Sequence, residues 1–206
     1  MPLNTATTSN ADKRACHRRV PLRIFRTIKT MPTRAHAKQL KAAACSWLAL
    51  PQAKAVFHTH MPFASALSRL DDPHILPIGQ TELGTLIHTA YDDHYDGPAF
   101  DPAEGERLAS VIGDKTILMM ANHGAATVGR TVAEAYDALY YLERVAQVQL
   151  YAMWTGRPLK QLPQKVVDET IAEFKKGRNY GGKKPAIWHF EALKRILDRK
   201  EPDYKT

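Results

Sequence analysis

The stretch Val56-Phe57-His58-Thr59-His60-Met61-Pro62 reads as a strand that ends in two histidines. Successive side chains of a strand point to opposite faces, so His58 and His60, two positions apart, project from one side. Residues 54–60 are therefore expected to form a strand whose end carries two neighbouring imidazoles. A second apolar run, Thr116-Ile117-Leu118-Met119-Met120, leads into Ala121-Asn122-His123-Gly124. His123 thus stands 63 residues after His60, at the end of another expected strand over 116–121. Three neutral imidazoles from two strand ends make an open metal site, with three protein ligands and one position left for water or substrate. A histidine beside a strand is more often simply packed or solvated, and spacing alone leaves both readings open.

Around these strands the pattern turns helical. From Thr33 to Leu50 the residues Ala35, Leu40, Ala43, Ala44, Trp47 and Leu48 recur at helical spacing, and Pro51 stops the helix. Asp101-Pro102-Ala103-Glu104 opens another, with a capping Asp, a proline at the first helical position and an acid three residues on; Gly113 closes it. Thr131-x-x-Glu134 is a capping box for a long helix that ends near Gly156. Its apolar face is expected to use Val132, Ala135, Tyr136, Leu139, Leu142 and Val145. Strands that alternate with helices give an α/β sheet sandwiched by helices. The run Arg178-Asn179-Tyr180-Gly181-Gly182-Lys183-Lys184 reads as a basic loop, either a solvated linker or a place to hold an anion.

A chain of 206 residues can bury an ordinary core without disulfides or structural metals. No apolar run approaches the ~20 residues of a membrane span. Cys16 and Cys45 form no disulfide framework and no metal-ligand spacing, so a reducing compartment is the default. The formal charge of +8 is unevenly spread. Residues 1–54 hold eleven Lys and Arg against one acid, Asp12, for a net +10, while the rest carries eighteen basic and twenty acidic residues, a net −2. Residues 1–32 thus read as a basic segment, disordered or targeting, before a domain over 33–206. An Arg-, Thr- and Ser-rich, acid-poor start resembles an organellar transit peptide, the alternative to a cytoplasmic location. No aromatic stacking pattern or recognition motif accompanies the charge, which argues against nucleic acid as a partner.

From about Pro51 to the C-terminus the chain resembles the class II aldolase/adducin family. The matching words are Ala55-Val56-Phe57-His58-Thr59-His60, Leu76-Pro77-Ile78, Gly105-Glu106-Arg107-Leu108-Ala109 and Asn122-His123-Gly124. Val128-Gly129-Arg130-Thr131-Val132-Ala133-Glu134-Ala135 and Tyr141-Leu142-Glu143-Arg144 follow in the family's order and spacing. Arg195-Ile196-Leu197-Asp198-Arg199 with Pro202-Asp203-Tyr204 is similar to the tail of the adducin-like branch. The resemblance implies a three-layer α/β/α class II aldolase-like fold and a homo-oligomer, commonly a tetramer. It also implies that His58, His60 and His123 hold a divalent metal, usually zinc. Two departures accompany it. None of the eleven glycines precedes Gly79, so the family's opening strands and the glycine-bearing loops that cradle a phosphate have no counterpart, and the fold is expected to be N-terminally incomplete. And where sugar-phosphate aldolases of the family carry a glutamate, nineteen residues before the first metal histidine, this chain has Gln39.

Aldol cleavage or decarboxylation next to a carbonyl develops negative charge on oxygen, which calls for a Lewis acid, and needs protons moved, usually by a carboxylate with a raised pKa. Gln39 cannot exchange protons. Glu82 and His88 are substitute candidates between the two metal strands, as are Tyr91, Asp93, His94 and Tyr95, although each also reads as an ordinary loop or surface residue. The expected function is that of a metal-dependent lyase, aldolase or decarboxylase, on a small hydroxy- or oxo-acid. The alternative is a non-catalytic adducin-like domain for oligomerisation or contact with the actin cytoskeleton. A metal-dependent oxygenase ranks last, because no carboxylate at ligand spacing completes a two-histidine, one-carboxylate set.

Overall fold

The computed structural model describes residue 47 and residues 50–95, 102–177 and 184–205. Most of the expected Thr33–Leu50 helix, Gln39, Asp101, the basic N-terminal segment and the 178–183 loop lie outside the described residues.

Four strands form one sheet: β1 (Ala55–Thr59), β2 (Thr89–Asp92), β3 (Ile117–Met120) and β4 (Gly124–Gly129), in the spatial order β1-β4-β3-β2. β4 runs antiparallel to both β1 and β3, and β2 runs parallel to β3. Six α-helices accompany them among the described residues: α1 (Pro62–Leu67), α2 (Gln80–Leu86), α3 (Pro102–Ile112), α4 (Val132–Trp154), α5 (Gln164–Lys175) and α6 (Pro185–Lys200). The expected strands at 54–60 and 116–121 are therefore present as β1 and β3. β2 and β4 had given no strand signal of their own.

Period-2 alternation builds the two cores. Ile117, Met119 and Ala125 face Ala64 and Leu67 of α1 and Leu142, Val145 and Ala146 of α4. Leu118, Met120, Ala126 and Val128 face Leu108 and Ile112 of α3, with Trp47 and Ala53 completing that side. The sheet is thus covered on both faces, the three-layer α/β/α arrangement. Leu67, Leu118 and Leu142 are wholly buried. At about 25 cal/mol per Å² of apolar area, each contributes on the order of 2 kcal/mol over an exposed position.

α4 begins as its capping box requires. Thr131 Oγ1 accepts from the Glu134 amide at 3.1 Å, and Glu134 Oε2 accepts at 2.9 Å from the amide of Arg130, one residue earlier than a standard box would place it. Its buried face uses Ala133, Ala135, Leu139, Leu142, Val145, Ala146 and Gln149. Val132, read as apolar-facing from the sequence, is 53% exposed, because at the first helical position it precedes the turn that meets the sheet. Gln149 is buried, yet its amide is satisfied on both sides: Oε1 accepts from Leu76 N and Nε2 donates to the His74 carbonyl, both at 2.9 Å. Gly113 at φ +54 closes α3 in the left-handed conformation that favours glycine.

The turn from β4 into α4 leaves no room for a side chain. A Cβ on Gly129 would stand 2.5 Å from Ala135 N and 2.9 Å from Glu134 Cβ. Replacing Gly129 with Ala is expected to lower the unfolding free energy by about 1–3 kcal/mol, the usual cost of overpacking, visible as an earlier urea midpoint. An unchanged midpoint would mean that the turn relaxes freely. Among the described residues no helix is long and apolar enough to cross a membrane.

Candidate metal centre

His58 is the fourth residue of β1, on the face that looks toward α3, where its strand partner is Ala126. His60 follows just past the strand end. His123 arrives from β3 through a tight turn in which its amide bonds the Met120 carbonyl at 3.2 Å. The turn uses Asn122 at φ +55, a left-handed conformation that asparagine tolerates better than most residues. The Asn122 amide also donates to Ser68 O at 2.8 Å, which ties the His123 turn to the segment after α1. Gly124 permits the last approach: a Cβ there would lie 2.6 Å from Thr59 O and 2.7 Å from the His60 ring.

The three histidines converge. Ring centroids are 5.0 Å apart for His58 and His60, 4.9 Å for His58 and His123, and 4.8 Å for His60 and His123. One ligand nitrogen from each lies within 4.8 Å of the others, and among the described residues this is the cluster able to hold a metal ion. His58 Nδ1 sits 3.1 Å from the Ala125 carbonyl. A carbonyl can only accept, so Nδ1 carries the hydrogen and Nε2 keeps its lone pair, the second-partner orientation usual for metal-ligating histidines.

Electrostatics favour the ligand form. Burial first, then the charges that His123 and His60 would carry, push the His58 pKa down to about 4. Burial, His60 and the nearby Arg69 lower that of His123. His58 is nevertheless exposed along one edge. Both hold for a ring packed on one side and open to solvent on the other. Neutral imidazoles with an accessible face are the donor set of an open metal site, so these residues fit a divalent ion.

The other candidates are distributed differently. His88 accepts the Thr116 and Ile117 amides through its carbonyl, which places it at the start of β3, roughly 10 Å of strand away from the His123 end. There it lines a separate cleft of about 550 Å³ with Gly129 and Arg130. Glu82 is buried on α2 with its carboxylate folded over Gly79, and it does not join the cluster. Tyr91 belongs to the α1/α4 side of the sheet, where its hydroxyl accepts from Ile75 N at 3.0 Å and burial raises its pKa. Asp93 is exposed, and the His94 amide lies 3.4 Å from Asp92 Oδ1. Tyr95 stands beside the cluster, its ring 6.0 Å from that of His123 and half exposed.

Sequence reasoning missed two features at this end of the sheet. Asp92, 5% exposed, receives both Arg107 Nη atoms at 2.7 Å, while Arg107 also binds Glu104. This network locks the end of β2 to α3; the i, i+3 spacing of Glu104 and Arg107 was its one local signal. The other is the Ser68 carbonyl, whose bond from the Asn122 amide fastens the His123 turn to the segment after α1 and is announced by no motif.

Fold and cluster together define a mixed α/β protein with an open three-imidazole site at one end of its sheet. The chain belongs to the class II aldolase and adducin N-terminal domain family, whose model matches residues 30–150. That match begins before Pro51 and takes in the alanine-rich segment that includes Gln39. An aldolase II superfamily protein from Pseudomonas syringae has a similar structure, with 31% identity and a TM-score of 0.72, over 87% of this chain and 71% of that one. An L-fuculose 1-phosphate aldolase from Glaciozyma antarctica shares the fold at 22% identity and a TM-score of 0.60, over 82% and 62% of the two chains. An adducin-related protein from Schizosaccharomyces pombe is 29% identical over 166 residues, 77% of this chain and 49% of that protein. The chain spans about half the length of the relatives it matches in sequence.

Proposed function

We propose that the protein is a metal-dependent lyase that acts on a small hydroxy- or oxo-acid, with zinc held by His58, His60 and His123. The observation that carries this reading is the convergence of three imidazoles, their nitrogens within 4.8 Å, at an accessible end of the sheet. A purely structural domain has no need of such a cluster. A bound divalent ion would supply Lewis acidity toward a substrate carbonyl oxygen.

The chain's own residues set the limits of the chemistry. His58, His60 and His123 present lone pairs, and the Ala125 carbonyl fixes the His58 tautomer. Among the described residues, no carboxylate joins the cluster. Tyr95, its ring 6.0 Å from that of His123, is a described side chain that could deliver a proton. Decarboxylation asks little of such a site. The C–C bond electrons move toward the carbonyl, carbon dioxide departs, and the carbon takes a proton from water or Tyr95.

The test is a panel of small oxo- and hydroxy-acids presented to zinc-loaded protein, with carbon dioxide and aldehyde release followed. Turnover that EDTA abolishes and zinc restores is expected. A folded, zinc-replete protein that turns over none of them would overturn the reading. The second reading, a non-catalytic adducin-like domain for assembly or cytoskeletal contact, would then stand; similarity to the adducin-related protein supports it.

A further inference from the structure

α1 is tied to two of the three histidines. It begins at Pro62, two residues after His60, and ends at Leu67. The next residue, Ser68, accepts at 2.8 Å the Asn122 amide of the turn that presents His123. The His60 and His123 rings stand 4.8 Å apart at their centroids, so whatever seats α1 bears on that spacing. Unlike the His58 ring, which bonds the Ala125 carbonyl, the His60 ring has no hydrogen-bond partner among the described residues. It follows the end of β1, packs against Gly124 and is held through its backbone.

The start of α1 has no cap of its own. Met61, at the capping position, makes no side-chain bond, and Pro62 has no amide hydrogen. The orphan donors of the first turn are therefore the Phe63 and Ala64 amides. Glu143, from the middle of α4, accepts both: Oε1 from Phe63 N at 3.0 Å and Oε2 from Ala64 N at 2.8 Å. A carboxylate there also meets the positive end of the helix dipole. Among the described residues no Lys or Arg pairs with Glu143, so α1 is what holds it and what it holds. The Ser65 amide in turn donates to the Met61 carbonyl at 2.8 Å, which makes the residue covalently joined to His60 the first link of the helix. We infer that Glu143 is a positioning residue of the metal centre: its two bonds seat α1 on α4 and so keep His60 at the distance from His123 that a shared ion requires. This rests on the metal reading above. Glu143 is outside the ligand cluster and acts through the backbone between Met61 and Ala64. The Phe63 and Tyr151 rings meet edge-on at 5.4 Å and keep α1 beside α4 without it, so its loss should displace His60 rather than unfold the chain.

The experiment measures zinc affinity by chelator competition, the visible spectrum of the cobalt-loaded protein, and the unfolding midpoint of the metal-free protein. Glu143→Gln keeps the size of the side chain but offers one acceptor oxygen and turns an amide donor toward the second N–H, so one of the two bonds is lost. Glu143→Leu removes both. Zinc should bind about 10- to 100-fold more weakly to these variants than to wild type, the usual cost of losing a group that orients a ligand, with Glu143→Leu the weaker. The cobalt spectrum, which reports ligand number and geometry, should change with them. Gly129→Ala, destabilised at the other end of β4, is the control and should bind zinc as wild type does. Adding Met61→Ser to Glu143→Gln supplies a local cap for the same amides and should recover part of the lost affinity. If Glu143→Leu does not fold, Glu143→Gln decides. Wild-type zinc affinity and cobalt spectrum in Glu143→Gln would overturn the inference and leave the metal reading intact. An equal loss in Gly129→Ala would also overturn it, because general destabilisation would then account for the effect. No recovery on adding Met61→Ser would do the same, since the route through the α1 cap would be closed. A wild type that takes up no zinc would remove the metal reading itself, and the inference with it.

Discussion

Replacing His123 by alanine is expected to take the protein from about one bound zinc per chain to a trace, with the fold intact. Removing a group that merely orients a metal ligand costs about 10–100-fold in affinity, and removing one of three ligands costs more. His123 is half-buried, at the outer end of β3, and belongs to neither apolar core. Its loss should therefore leave the unfolding midpoint nearly unchanged. His58→Ala should behave alike toward zinc but cost some stability, since its ring is packed and bonds the Ala125 carbonyl at 3.1 Å. His88→Ala provides the contrast. It lines the cleft at the opposite end of the sheet, so its zinc content should equal that of wild type. Metal analysis on gel-filtered protein reads all three variants. Full retention of zinc in His123→Ala would sink the assignment, and loss in His88→Ala would relocate the site.

How far this centre could be read from the chain depended on the range of the interactions that build it. His58 and His60 share a face because strand periodicity is local, and two residues suffice to state it. The pairing with His123 is not local. It needs β4 between β1 and β3, with His58 opposite Ala126 and Leu118 opposite Ala126 on its other side. β4 itself was hard to recognise. Gly124-Ala125-Ala126-Thr127-Val128-Gly129 is buried along its whole length, so it lacks the polar alternation that marks a half-exposed strand. Its two glycines, which read as turn residues, are required there by the close approach of Thr59 and of the Ala135 amide.

Helices followed the same division. α3 and α4 carry their start and stop signals within a few residues, and their expected ends agree with the structure where it is described. α2 opens on Gly79 and α5 on Pro163 with no side-chain cap, so nothing local announces them. Asp92 and Ser68 illustrate the limit for single residues. One is an apparently ordinary acid after an aromatic, the other a serine at the end of a short helix. Their roles come from contacts made across 15 residues for Asp92 with Arg107 and, for Ser68, from its carbonyl accepting the distant Asn122 amide.

The second large effect concerns catalysis and follows from Gln39. The family match over residues 30–150 includes this position, where the resemblance expects a carboxylate. An amide cannot take a proton from a substrate hydroxyl or return one to carbon, and loss of general acid–base catalysis typically slows a reaction by about 10²–10⁴-fold. Weak cleavage of phosphorylated sugar aldols is therefore expected from the zinc-loaded protein. The absence of glycine before Gly79 pushes the same way, because binding a remote phosphate normally helps to hold the reacting centre in place. A decarboxylation depends less on the missing group, since no proton must be removed before carbon dioxide leaves. The wild type should thus favour a small oxo-acid over a sugar-phosphate. Gln39→Glu should raise aldol cleavage while changing decarboxylation little, a divergence that a merely structural role for Gln39 would not produce. Steady-state rates for both substrate classes, with zinc content verified, decide the matter. Robust aldol cleavage by the wild type would overturn this reading of Gln39 and move the search for a base to Tyr95, whose ring lies 6.0 Å from that of His123.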